Sequence, residues 1–375
     1  MKNRLVALLC LSFGGFAASI APTFASAQLS SNATVYATGL QEPRGLKFGP
    51  DGFLYVAQDG SGGTTSTAGT CTQVIPPVGP YTGGTTSVIS KIDKSGTVTT
   101  VASGLPSSLD AMGDVQGVAD LAFLDGKLYA LLGGAGCSHG VALVPNSIIK
   151  VNTTNGSWSV FADLSDFLQT HPAMYPNIAD FEPDGTFYNL IVENDVFYTV
   201  EPNHGQVFSI SKEGVVKEKL DISEAEGHIV PTSITRKDGN FYVGNLGLFP
   251  ITPNSSKILT LSTDVCPWPY VVGLGCSDNL KKLKVAGSRA GFTTVVAVDF
   301  GPDGLLYALE LSPAAGFPTV GVGKVVRLNG AGVIEDIATG LSVPTGMTFG
   351  PDGRIYVSNF GAAPKGGEIV RITIP

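Results

Sequence analysis

"FGPDGFLYVAQDG" occupies Phe48 to Gly60, and nearly the same phrase, "FGPDGRIYVSNFG", occupies Phe349 to Gly361. Degenerate relatives lie between them: "LDGKLYALLGG" from Leu124, "ENDVFYTVEPNHG" from Glu193, "KDGNFYVGNLG" from Lys237 and "GPDGLLYALELS" from Gly301. Each reads as strand, tight turn, strand. In Pro-Asp-Gly the proline fixes φ, the aspartate bonds nearby backbone and the glycine accepts positive φ. The apolar alternation that follows is strand-like.

Anchoring on the tyrosine gives six copies, at Tyr55, Tyr129, Tyr198, Tyr242, Tyr307 and Tyr356. A third strand follows each, as in "SVISKID", "SIIKVN" and "KVVRLN". Most then turn on glycine into a fourth, as in "TVTTVAS", "SWSVFAD", "VVKEKLD" and "VIEDIAT". Four strands repeated six times predict an all-β, six-bladed β-propeller of four-stranded antiparallel blades. The last copy stops at Pro375 after its third strand, while an orphan strand, "ATVYATGL" (Ala33 to Leu40), precedes the first. That strand is expected to complete the last blade, so the ring closes without an exposed sheet edge.

Residues 1–27 read as a cleavable export signal: Lys2 and Arg4, an apolar run, then Ala25-Ser26-Ala27. The run is short for a membrane span and is broken by Gly14 and Gly15. Residues 28–375 are expected to form one domain, secreted or periplasmic, without a membrane span and monomeric. The full chain has 23 basic and 31 acidic residues; losing Lys2 and Arg4 leaves 21 against 31, a net charge of −10. An acidic chain with no basic run is unsuited to nucleic acid.

Four cysteines remain: Cys71, Cys137, Cys266 and Cys276. An even number in an exported chain suggests two disulfides, and the absence of CxxC and CxxH argues against a zinc cage. Three pairings are possible. Cys266 with Cys276 closes a short loop, worth roughly 2–3 kcal/mol in the chain-entropy model. Cys71 and Cys137 fall in matching loops of adjacent blades. The alternative is four free thiols.

Long connections fall between second and third strands and between blades. They include "GSGGTTSTAGTCTQVIPPVGPYTGGTT", "GGAGCSHGVALVPN", "GLFPITPNSS" and "SPAAGFPTVGVG", and the segments Pro106–Val115, Ser165–Asn177 and Cys266–Leu280. In a propeller both connection types emerge on one face, and long loops on a rigid body are where binding resides. First-to-second and third-to-fourth turns read as short.

Three residues past each tyrosine stand Gln58, Leu132, Glu201, Asn245, Glu310 and Asn359. Five of these six offer side-chain oxygens where a strand ends on the loop-rich face, so the ring is a candidate ligand site. Glu201, Asn245, Glu310 and Asn359 could serve a calcium ion, as in some six-bladed lactone hydrolases. Alternatively such residues cap turns. Gly45, Ser233, Ala297 and Gly346 mark inner-strand positions near the axis, where Asp120 is the acidic exception: it either faces the channel or binds backbone amides. His204, beside Glu201 in "VEPNHG", is the best general-base candidate, against a plain turn histidine. HExxH, GxSxG, GK[ST] and EF-hand motifs are absent. Sequons at Asn32, Asn152, Asn155 and Asn254 matter only in a glycosylating host.

"TGLQEPRGLKFGPDGFLYVAQDG", the Cys71 loop through "VGPYTGG", "SVISKIDKSGTVTTVASGLPS" and "VEPNHGQVFSI" resemble the ScyD/ScyE family of secreted propellers. The similarity runs from about Asn32 to Pro375, and similarity to NHL-type repeats supports the same fold. Some relatives are associated with scytonemin pigment clusters in cyanobacteria. Where that family carries "DAGGN", this chain has "EPNHG". The resemblance brings no catalytic set. The expectation is a binding propeller, for a small molecule or protein, with no cofactor and more consistent with a non-enzyme. The alternative is a calcium-dependent lactonase-like hydrolase.

Overall fold

The computed structural model describes residues 28–263, 282–363 and 366–375. It is a ring of six antiparallel sheets. Blade one is built from Pro43–Phe48, Leu54–Gln58, Thr82–Ile92 and Val98–Leu109, with the two-residue strand Val115–Gln116 added beyond. Blade two uses Val118–Leu124, Lys127–Leu132, Ser147–Val151 and Trp158–Asp163. Blade three uses Asn189–Glu193, Val196–Glu201, Gln206–Ser211 and Val216–Asp221. Blade four uses Pro231–Lys237, Asn240–Asn245, Ser256–Thr263 and Leu283–Phe292; blade five uses Val295–Phe300, Leu306–Glu310, Gly323–Leu328 and Ile334–Leu341. Blade six has Gly346–Phe349, Ile355–Asn359 and Gly367–Ile372.

Its fourth strand is Ala33–Leu40, paired antiparallel from Ala33↔Ile372 to Leu40↔Gly367. The closure expected from the orphan strand is therefore present. Asn32 secures it: its Nδ2 donates to the carbonyls of Thr373 and Ile337, each at 2.9 Å.

The repeated phrase is explained by contacts within and between blades. In blades one, five and six the tyrosine hydroxyl donates to the Pro-Asp-Gly aspartate: Tyr55 to Asp51 at 2.9 Å, Tyr307 to Asp303 at 2.8 Å and Tyr356 to Asp352 at 3.1 Å. The glycine before the proline makes room for that ring. A Cβ on Gly49, Gly301 or Gly350 would lie about 2.5–2.6 Å from the tyrosine edge. The phenylalanine opening the phrase meets the preceding blade's tyrosine edge-on. Tyr307 meets Phe349 at 5.2 Å, and Tyr356 meets Phe48 at 5.1 Å, which carries the pattern across the closure. Edge-to-face aromatic pairs of this kind add about 0.5–1.5 kcal/mol beyond the area they bury.

Cys71 and Cys137 form a disulfide joining the second-to-third loops of blades one and two, with Cα atoms 6.2 Å apart. Cys266 and Cys276 lie outside the described residues. The expectation about their surroundings needs correction. The chain enters the segment containing them from the third strand of blade four and leaves it into the fourth, Leu283–Phe292. Cys266–Leu280 is thus not a connection between blades, and this third-to-fourth connection is not short. The fourth strand escaped notice because most of its side chains are exposed, leaving no apolar alternation to read.

Candidate functional site

The polar ring occupies the ends of the second strands, and its side chains hold their own blades together. Each of four accepts an amide from the segment entering its blade. Gln58 Oε1 takes Gln41 N–H at 2.8 Å, Glu201 Oε1 takes Thr186 at 2.9 Å, Glu310 Oε1 takes Thr293 at 2.9 Å, and Asn359 Oδ1 takes Ser342 at 2.7 Å. Asn245 instead donates Nδ2–H to Ile229 O and accepts Lys257 N–H, both at 2.8 Å. At Leu132, which has no polar side chain, backbone does the equivalent: the amides of Gly133 and Gly134 both reach Gly117 O. Burial raises the Glu310 carboxyl pKa, and Thr293 N–H and Lys324 oppose that rise. Among the described residues, no group of three or more His, Cys, Asp or Glu is arranged to hold a metal.

The axis carries a cavity of about 310 Å³ lined by Asp120, Lys47, Asp299 and Asn189 among others. Asp120 does both things considered for it: it lines this channel and binds backbone. Its Oδ2 accepts Leu190 N–H and Asn189 Nδ2–H, each at 2.7 Å, and Oδ1 accepts Leu121 N–H at 2.8 Å. Asn189 Oδ1 then accepts Ile234 N–H at 2.8 Å, so the chain of bonds crosses three inner strands. Burial raises the Asp120 carboxyl pKa, while Lys47 and these donors pull it down. The crowding explains the small residues: a Cβ on Gly45 would lie 1.9 Å from Asp120 Oδ1. Towards the loop-rich face, Tyr188 donates to Thr345 O at 3.1 Å, and buried Arg44 pairs with Asp59 and donates to Val115 O at 2.8 Å.

His204 lies elsewhere, in an off-axis pocket of about 350 Å³ on the loop-rich face beside blades two and three. The Cys71–Cys137 bridge, Leu168, Pro172, Phe181 and Pro183 give it largely apolar walls, with Thr72, Gln169, Asp184 and His204 as its polar members. His204 is 2% exposed. Its amide donates to Glu201 Oε2 at 2.5 Å, and its ring lies 4.6 Å from that of Phe181. Nε2 is 2.8 Å from the Glu182 carbonyl. A carbonyl can only accept, so Nε2 carries a proton. In the neutral ring Nδ1 is then an acceptor, and this buried atom has no partner.

Behind the pocket lies a network that the sequence did not disclose. Glu182 is its centre: Oε1 accepts Tyr81 Oη–H at 3.0 Å, and Oε2 lies 2.8 Å from His139 Nε2. Asp184 Oδ2 accepts both Ser138 N–H at 2.7 Å and Ser138 Oγ–H at 2.6 Å. Ser138, His139 and Glu182 resemble a nucleophile, base and orienting acid. They cannot act as one. Ser138 and His139 are wholly buried, and the single Ser138 hydroxyl proton goes to Asp184. The signal that could have found this network is "FEPDGTFY" at 181–188, a Pro-Asp-Gly with Tyr188 at the repeat's own spacing but out of step with the six copies.

No family model matches this sequence, and no curated protein matches it. Similar solved structures exist at low identity. A gluconolactonase from Xanthomonas campestris is 10% identical, with TM-score 0.53, over 92% of this chain and 89% of that one. A Bacteroides thetaiotaomicron protein of unknown function is 11% identical, with TM-score 0.56, over 93% and 77%. An auxiliary nutrient binding protein from the same organism is 11% identical, with TM-score 0.54, over 92% and 76%. At such identities the likeness establishes the six-bladed propeller fold alone.

Proposed function

We propose that this chain is an exported propeller of the ScyD/ScyE type that binds a small molecule through its loop-rich face, without catalysis. The observation that carries the reading is the off-axis pocket on the loop-rich face, walled by the disulfide, Leu168, Pro172, Phe181 and Pro183, with Asp184, Gln169 and His204 in its lining. A concave, mostly apolar site with a few polar groups is the usual form of a small-molecule site. The same face carries exposed apolar side chains, Leu143 at 96% and Phe317 at 65%, which leaves room for a protein ligand as well. The test is capture from native extract. Wild type should retain a small molecule detectable by native mass spectrometry, and Gln169→Trp, at the exposed rim of the pocket, should lose it. Equal retention by the two proteins refutes the pocket as the site.

The lactonase-like alternative draws support from the gluconolactonase fold likeness and from the oxygens of Glu201, Asn245, Glu310 and Asn359. Those oxygens already serve backbone amides within separate blades, and a shared cation would have to displace them. We therefore expect no one-to-one calcium isotherm when metal-free protein is titrated by calorimetry. A tight isotherm abolished by Glu201→Gln, together with lactone turnover, would promote the alternative.

A further inference from the structure

We infer that Glu42, Arg44 and Asp59 form a proton-operated clasp at the closure of the ring, tight while Glu42 carries a proton and loosened when it ionises.

The clasp sits where the first and last blades meet. Residues 42–44 lead into blade one and lie against blade six. The carbonyl of Pro43 accepts Thr345 Oγ1–H at 2.5 Å, and that of Arg44 accepts Ser358 Oγ–H at 2.6 Å. The fit is close: a Cβ on Gly346 would lie 2.3 Å from the Arg44 carbonyl oxygen, and one on Gly361 would lie 2.3 Å from that of Pro43. The Arg44 side chain extends the tie. Its Nε–H goes to Asp59 Oδ2, and Nη2 donates to Val115 O at 2.8 Å, just before blade two. Asp59 is held in turn through its backbone. Its amide donates to Glu42 O at 3.1 Å, and its carbonyl accepts the Ser87 and Ser107 hydroxyls at 2.7 and 2.5 Å.

Charge does not balance there. Glu42, Arg44 and Asp59 are 6%, 7% and 1% exposed. Arg44 is the one cation acting on either carboxylate, and its Nε–H is committed to Asp59. The Glu42 carboxylate accepts no hydrogen bond from any described residue. Nothing else facing the clasp supplies positive charge. Asp114, with Asp110 beside it, adds negative charge from the loop before blade two. Blade three brings the buried Tyr188 phenol, and blade two brings Asp120, already bonded to Leu121, Asn189 and Leu190.

Two buried carboxylates that share one guanidinium repel each other strongly if both ionise. Asp59, gripped by Arg44, ionises first, and Glu42 keeps the second proton. Burial pushes the Glu42 carboxyl up to about 7; Asp59 and Asp114 add to the rise, and Arg44 opposes it. Burial drives Asp59 up as well, against Arg44 and the Gly117 amide. Between the ordinary value of about 4.5 and about 7, the folded ring holds a proton that the unfolded chain has lost. The stability that this proton contributes is therefore present in full below the unfolded value and is lost as pH rises through about 7. Once Glu42 ionises, the repulsion acts on the same residues that bond to Thr345 and Ser358.

The test uses the full mature chain at constant ionic strength. Carbon-13 spectra of the carboxyl groups should show Glu42 protonated at about pH 5 and ionising near neutral pH, a readout that needs no variant to fold. Glu42→Gln keeps the shape of the protonated side chain and cannot ionise. It should melt within about 1 °C of wild type at about pH 5, and roughly 2–4 °C above wild type at about pH 8. The difference between the two proteins cancels the titration of every other group. Amides of residues 44–46 and 345–348, corrected for intrinsic exchange rate, should lose protection from hydrogen exchange between those two pH values in wild type and keep it in Glu42→Gln. Asp59→Asn should lower the pH at which Glu42 ionises by about one pH unit, because Arg44 then has no other carboxylate. The inference is overturned if Glu42 is already ionised at the acid end, or if Glu42→Gln melts no higher than wild type at the alkaline end. It is also overturned if seam protection there is equal in the two proteins, or if Asp59→Asn leaves the Glu42 titration in place.

Discussion

Deleting residues 32–40 is expected to destabilise the protein by at least about 5 kcal/mol, since even a single buried leucine truncation costs about 2–5 kcal/mol. The deletion removes the whole fourth strand of blade six, with its buried Ala33, Ala37 and Leu40. Ala37 and Leu40 belong to a core cluster with Leu46, Leu54 and Ile92 of blade one and Tyr356 and Ile369 of blade six. The loss therefore falls on the contact that closes the ring. It also strips the pairing partner from Gly367–Ile372, and a bare edge strand recruits other chains. Thermal unfolding by circular dichroism should shift down by roughly 7 °C or more, given how little temperature each kcal/mol moves in a chain of this size. Size-exclusion chromatography should show association, and a synthetic 32–40 peptide added in trans should reverse both effects. An unchanged melting curve would falsify the closure as a source of stability.

The fold was legible because its repeat is chemical as well as textual. Phe349, Gly350, Asp352 and Tyr356 make one arrangement of ring, gap, acceptor and hydroxyl, and that arrangement recurs in blades one and five. A linear pattern encodes it because turn and tyrosine lie only four residues apart. The fourth strand of blade four was illegible for the opposite reason. "LKVAGSRAGF" buries its two ends and little between them, so period-two alternation never appears. Outer strands face solvent, and the sequence there is freer.

The site was less legible than the fold. His204 could be singled out as a histidine beside a carboxylate, but its setting depends on Glu182 and Phe181, which stand some twenty residues earlier in the chain. Tyr81 reaches Glu182 across 101 residues. Distances of that kind leave no local trace, and Pro183-Asp184-Gly185 looks like another hairpin turn. The polar ring was read correctly as a set of equivalent positions. What could not be read was how each side chain divides its bonds between its own backbone and a ligand, because that depends on the path of the entering loop.

Replacing Cys71 and Cys137 together by serine is expected to produce the next largest change. The bridge spans a separation of 66 residues. In the chain-entropy model a loop of that length is worth about 4 kcal/mol, or about 5 °C in a protein of this size. Native contacts keep the two loops near each other without it. Thr67 Oγ1 donates to Cys137 O at 2.5 Å, and Gly83 packs so closely on the blade-two loop that a Cβ on it would lie 2.4 Å from the Gly140 carbonyl. The folded ring should therefore survive, and the loss should appear as reduced stability together with a softened pocket wall, since both sulfur-bearing residues line the pocket. Ligand capture should fall more steeply than the melting temperature, because a mobile wall must be ordered again on binding. Replacing Cys266 and Cys276 is the comparison: a short loop is worth less in the same model, and capture should be untouched. Non-reducing peptide mapping that joined Cys137 to Cys276 would reject the pairing, and a double serine variant with full stability and full capture would show that the native contacts alone set the wall.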